Sequence, residues 1–247
     1  MGHMTNFQQR MTGKDKPGQL NKDGYAVVAS MPSSTIARQQ TFAKMQAEMD
    51  GDLKSLKLIQ SVKEKERVKK ENLVPKYMPF ADSLIAAAQT HPILGILLVW
   101  LFDIKDIPNA VRVALFCIEH AIPMPEWFKR DLPTFLCDVI LEWAEAEVEA
   151  GRSVEPYFSQ VYELTKELDM PDQVRAKIFR LQGLIAYEKG DYATAVVTLQ
   201  EAADFGASVK TILGKARKKL EAQANTDGAQ DPADAVEPKA DSAAEKE

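Results

Sequence analysis

The chain is 247 residues long and 45% hydrophobic, with 31 Lys and Arg against 36 Asp and Glu for a net charge of −5. That size holds one sizeable core with tails or two small domains, and the mildly acidic average, taken alone, argues against a nucleic-acid partner. Counted by segment the average breaks up: residues 1–80 carry 14 basic and 8 acidic groups, 81–220 carry 15 and 20, and 221–247 carry 2 and 8. A basic front ahead of an acidic body and tail points to an anionic partner for the front.

Residues 1–4 (MGHM) read as a cloning scar, and the Gly, Pro, Ser and Gln punctuation up to residue 37 has no periodicity. Residues 1–37 are therefore expected as a scar and disordered arm. From Thr41 to Asn72 the pattern is helical, with Phe42, Met45, Met49, Leu53, Leu56 and Ile59 on one apolar stripe and Gly51 as the place where the helix breaks or kinks. The segment 38–72 is expected to be a basic helical unit, and 73–79 (LVPKYMP) a proline-bounded link.

Residues 73–222 read as a helical body of about seven helices after residue 81, with turns at 103–108, 122–133, 151–154, 169–171, 190–191 and 206–207. The run 93–102 (ILGILLVWLF) is uniformly apolar but half the length needed to cross a bilayer. It is expected to be buried on all sides, in the core or against another subunit. A hairpin over 97–121 turns at Asp103-Ile104-Lys105-Asp106, with Ala110 and Ala114 at close-packing positions. A stronger one spans 169–203: Phe179, Gly183 and Ala186, a Gly190-Asp191 turn, then Ala195, Leu199 and Ala202. Taking Gly183 as an eighth position puts Ala195 and Ala202 at the twentieth and twenty-seventh, the small-residue marks of a tetratricopeptide repeat. Too few repeats are present for an extended solenoid, so a compact all-α body with tetratricopeptide-like hairpins is expected. A basic amphipathic helix over 209–222 closes it, and 223–247, rich in Ala, Asp and Glu without aromatics, is expected as a disordered acidic tail.

Charge concentrates in Lys54, Lys57, Lys63, Lys65, Arg67, Lys69, Lys70 and Lys76, backed by Leu53, Leu56, Ile59 and Val62. Such a face displaces condensed counterions from phosphates without reading base sequence; a solvated coiled-coil flank is the plainer account of the same residues. A second cluster, Lys210, Lys215, Arg217, Lys218 and Lys219, fits cations favoured in a helix's last turn. The loop 124–135 sets Trp127, Phe128, Lys129 and Arg130 among prolines, a mixture that grips nucleic acid or plugs a helix joint.

Catalytic chemistry is thin. Asp82, Asp103 and Lys105 have the residue types of a metal-dependent nuclease, yet Asp103 and Asp106 sit where a turn and helix cap are needed. No serine or cysteine has a credible histidine base. The stretch 206–215 lacks the glycine spacing of a phosphate loop. His3, His91 and His120 are scattered, so no metal is expected, and Cys117 and Cys137 suit core packing in a reducing cytoplasm.

LVPKYMPFADSLI, WLFDIKDIPNAVRVALFCIEHAIPMP and DMPDQVRAKIFRLQGL together resemble the small terminase subunit of temperate, cohesive-end tailed phages, over roughly residues 72–220. The resemblance implies recognition of the packaging site on concatenated double-stranded phage DNA, a homo-oligomer such as a ring, and presentation of DNA to the large terminase ATPase subunit in the host bacterial cytoplasm. The family also carries an endonuclease label, which would require Mg; otherwise no cofactor is implied, and cutting is expected of the large subunit. Met124-Pro125, Arg130 and Pro133 fit the family pattern, whereas Lys105 and the acidic tail depart from it. With the resemblance, the eight cations from Lys54 to Lys76 become the expected DNA contact, with Lys129 and Arg130 added from the loop. The stripe from Phe42 to Ile59 becomes the expected oligomer interface. The acidic tail is expected to cover free basic surface until DNA arrives. Two rivals are a metal-dependent endonuclease using Asp82 and Asp103, and a non-catalytic adaptor that captures protein in the 169–203 hairpin groove.

Overall fold

Helix starts written in the sequence set the order of elements in the computed structural model, which describes residues 31–227. The scar, most of the expected arm and the tail beyond 227 lie outside the described residues. Ser34 opens α1 (Thr35–Lys57) by accepting the Ala37 N–H at 3.1 Å. Ser61 opens α2 (Val62–Val68) by accepting the Glu64 N–H at 3.3 Å. A π-helical turn (Lys69–Leu73) joins α2 to α3 (Val74–Ala86), the Val74 N–H reaching back to the Lys69 carbonyl. Then follow α4 (Ile93–Asp103), α5 (Ile107–Glu119), α6 (Leu132–Glu149), α7 (Tyr157–Thr165), α8 (Asp172–Glu188), α9 (Tyr192–Asp204) and α10 (Lys210–Asp227). Among the described residues every regular element is helical.

Three expectations are corrected here. Gly51 does not break α1; the chain turns later, over 58–61, where Ser61 with Glu64 forms a cap and first-turn acid. The expected link 73–79 is helix: Pro75 stands in the first turn of α3 and Pro79 inside it. In an unbroken α-helix the Pro75 ring would meet the Glu71 carbonyl, and the wider π turn falls directly before it. The last helix runs to Asp227, so residues 223–227 are not tail.

The run 93–102 is α4 itself, with Ile93, Leu94, Leu97, Leu98 and Leu101 fully buried in the chain's own core. It packs on α5, where Ala110 and Ala114 are both wholly enclosed, and the intervening turn puts Lys105 at φ 60°. A Cβ on Gly95 would lie 2.8 Å from the Pro123 carbonyl, so the 120–131 loop rests directly on α4. Cys117 and Cys137 are free and buried, and burial raises their thiol pKa values to about 12 and about 11.

The 169–203 hairpin forms as the spacing requires. A Cβ on Gly183 would sit 2.6 Å from Leu199 Cγ and 2.9 Å from Thr198 Oγ1, so only glycine allows α8 and α9 to approach this closely. Ala195, Leu199 and Ala202 are fully buried in the seam. Gly190, at φ +79°, ends α8, and Asp191 caps α9 by accepting the Thr194 N–H at 3.0 Å. Val209, just ahead of α10, and Leu213 and Ala216 within it are buried where α10 packs on α9.

Candidate nucleic-acid interface

The basic segment is split by the fold into α1's last turn, a corner, and α2 with its π turn. What each charge does depends on its neighbours. Arg67 is held on its own helix by Glu64 at 2.5 Å and Glu71 at 2.7 Å; the hydrogen bond from Arg67 lowers the Glu64 pKa. Lys69, whose side chain is 13% exposed, reaches Asp103 at the end of α4, 2.5 Å away. Lys76 spans to α1, bonding Asp52 at 2.8 Å and Glu48 at 3.2 Å, while Tyr77 donates to the same Asp52 carboxylate at 2.6 Å. Burial works against the Lys76 charge, but its two carboxylate partners outweigh it and raise its pKa.

Lys69 and Lys76 therefore tie the π turn to α4 and α3 to α1, while Arg67 is taken up within its own helical segment. Among the described residues, Lys54, Lys57, Lys63, Lys65 and Lys70 make no ion pair, and Glu66 is the one acid between Lys54 and Lys76 that no cation engages. The remainder is a lysine-rich corner in which Glu66 is the acid left unengaged. Lysines on flexible stems are suited to phosphate as movable point charges, and Lys54, Lys57, Lys63 and Lys70 are exposed while Lys65 is half-buried.

Other expected site residues fall elsewhere. Met49 and Leu56 are buried, and Phe42, Met45, Leu53 and Ile59 pack against the same core. Phe42 meets the Phe80 and His91 rings edge-on at 5.9 and 5.0 Å. The stripe assigned to an oligomer interface thus docks α1 onto its own chain, because α3 and the residues before α4 supply the apolar surface it needs. Val62, expected to back the basic face, is instead 68% exposed. The 124–135 loop divides its labour: Phe128 packs on Phe135 at 5.1 Å and Arg130 pairs with Asp138, whereas Trp127 and Lys129 stand in solvent.

The nuclease set is not assembled. Asp82 accepts from Arg112 at 2.6 Å and Asp103 from Lys69, and Lys105 occupies the left-handed turn position. Among the described residues no group of three His, Cys, Asp or Glu could hold a metal ion. No described helix is long and apolar enough to cross a membrane. On α10, Lys210 and Lys215 through Lys219 lie in the first and middle turns and not the last, so a favourable helix dipole does not explain them.

Sequence reasoning located the cations but not their division, since the ion pairs to Glu48, Asp52 and Asp103 join positions 24 to 34 residues apart. It also missed Leu58, 77% exposed at the end of α1; the Ser61-x-x-Glu64 spacing, which marks a new helix start, was the available signal.

Among the described residues every regular element is helical, and five lysines without an ion pair gather at the α1–α2 corner and its π turn on a packed scaffold. The chain belongs to the phage small terminase subunit family, whose family model matches residues 46–173, from the middle of α1 to the start of α8. It is 28% identical over 200 residues to the "Terminase, endonuclease subunit" of Escherichia phage P2, covering 79% of this chain and 81% of that protein. It is 27% identical over 181 residues to the "Probable terminase, endonuclease subunit" of Haemophilus phage HP1 (strain HP1c1), covering 72% of this chain and 63% of that one. No solved structure matches.

Proposed function

We propose that this chain is the DNA-recognition subunit of a packaging terminase in the host cytoplasm. It binds duplex phage DNA at the packaging site, assembles as an oligomer, and presents the DNA to the large ATPase subunit. The observation that carries this is the set of five lysines, Lys54, Lys57, Lys63, Lys65 and Lys70, left without an ion pair in a family of small terminase subunits. One corner grips phosphate weakly, and an oligomer places several corners on one duplex at raised effective concentration. Because the stripe from Phe42 to Ile59 is used within the chain, the subunit contacts lie on other surfaces.

The experiment is a titration of the full chain with a packaging-site duplex and a scrambled duplex at several salt concentrations. Each lysine that contacts a phosphate adds about 0.9 to the slope of log affinity against log salt. Replacing the five lysines together with alanine flattens the slope, whereas Arg67→Ala or Lys69→Ala changes it less. Preference for the packaging-site duplex marks the recognition subunit; no binding to either duplex by folded protein overturns the reading.

The names of the two relatives favour a second reading, an endonuclease subunit, which we take as metal-dependent cutting of cohesive ends with Mg. It requires Asp82 or Asp103 to leave its cationic partner. Magnesium-dependent nicking by the purified chain, lost in folded Asp82→Ala or Asp103→Ala, would establish it.

A further inference from the structure

We infer that the α1–α2 corner is a wedge that kinks the duplex it binds, with Leu58 and Val62 entering between base steps. This deepens the duplex-binding reading and rests on it. Leu58 is the most exposed large apolar side chain among the described residues, at 77%, and Val62, four positions on, stands at 68%. The other exposed apolar side chains, Ile36, Trp127, Val148 and Val197, are dispersed along the chain.

The corner is braced. The Leu58 N–H bonds the Ser55 carbonyl at 3.2 Å, the Ile59 N–H bonds the Leu56 carbonyl at 3.3 Å, and Ser61 caps α2. Ile59 between them packs into the core. Leu58 and Val62 are thus presented on fixed backbone.

The charge around them selects the occupant. Lys54 and Lys57 lie on the α1 side of the wedge, and Lys63 and Lys65 on the α2 side, none of them in an ion pair. A second copy meeting this corner symmetrically would bring the same lysines against one another, so a self-contact is disfavoured. A nucleic-acid duplex satisfies both parts: its phosphates take the lysines on either side, and its base steps accept apolar side chains. Leucine and similar wedges unstack a step and bend the duplex, and the bend lets flanking cations reach more phosphates.

The test uses the full chain and two end-labelled duplexes of one sequence, one fully paired and one with a central two-nucleotide bulge that is already unstacked. Wild type is expected to bind the bulged duplex about tenfold more tightly, since the unstacking cost is met beforehand, and to shorten the end-to-end distance of the paired duplex by energy transfer. The Leu58→Ser, Val62→Ser double variant, altered only at exposed positions, is expected to lose the preference and the shortening with its salt slope unchanged. Equal binding of both duplexes by wild type without shortening overturns the wedge, as does a double variant that retains both effects. A double variant whose oligomeric mass falls while bending persists assigns the corner to a subunit contact and also overturns it. Absence of binding to either duplex overturns the duplex-binding reading itself, which separates the two failures.

Discussion

His91 shows how one residue can carry a pH dependence for a whole contact. It lies buried between Phe42 of α1 and Phe80 of α3, and its Nδ1 accepts the Ile93 N–H at 3.2 Å at the start of α4. Burial lowers its pKa, with a hydrogen bond to the Phe42 backbone pulling the other way. The sign follows directly. Below the ordinary value of 6.5 the unfolded chain takes up a proton that the folded chain resists, so stability falls as pH drops from there through the lowered folded value. Each unit of separation is worth about 1.4 kcal/mol. Urea midpoints at pH 7 and pH 5 are expected to fall further for wild type than for His91→Gln, which keeps an acceptor but cannot charge. Sequence reading had no means of seeing the two ring partners of this histidine, one of which lies 49 positions away.

At the scale of elements, the α8–α9 hairpin was legible because its small residues recur at fixed offsets and its turn carries Gly190-Asp191. The close approach at Gly183 is its sharpest feature. Gly183→Val is expected to cost about 1–3 kcal/mol through overpacking against Leu199 and Thr198, read as a lowered denaturant midpoint with an unchanged slope. The α4 run was legible for a different reason: ten consecutive apolar positions leave no polar face to expose. The path from α1 to α3 was not. A glycine and two prolines looked like boundaries, whereas the real turn is set by the Ser61 cap, and the prolines are absorbed by a first turn and a π turn. Single-residue punctuation is weaker than capping chemistry when tertiary contacts such as Tyr77–Asp52 hold the helices on both sides.

Across the whole molecule, one apolar cluster extends from Met49 in α1 to Ala216 in α10. The basic segment is therefore not a unit apart from the body, and the chain is expected to unfold as one. Cys117 and Cys137, buried in α5 and α6, report on this. Their reaction with a thiol reagent is expected to follow the loss of helical circular dichroism through a single urea transition; reaction at lower urea would mean that the middle of the molecule opens first. Charge is distributed on the same scale. Residues 81–209 hold 10 Lys and Arg against 20 Asp and Glu, so a duplex bound at the corner as proposed would be repelled by this part of the protein. That arrangement favours approach along one side only. The charge asymmetry was visible in the sequence; which five lysines remain for an outside anion was not, because it depends on Asp52 and Asp103 being drawn across from other helices.

The π turn at Lys69–Leu73 acts as a phase setting. An α-helix advances about 100° per residue, and one residue too many in a turn rotates everything before it relative to everything after it by that amount. The orientation of α2, with Lys63 and Lys65 on it, is thus indexed against α3, which is locked in the core by Tyr77, Met78 and Leu84. Gain or loss of a single residue between positions 69 and 73 would leave both helices intact yet aim the lysines at a different quarter of the surroundings. In the proposed oligomer that error would repeat in every subunit, so the length of this turn would act as a gauge that keeps the copies aligned with one another.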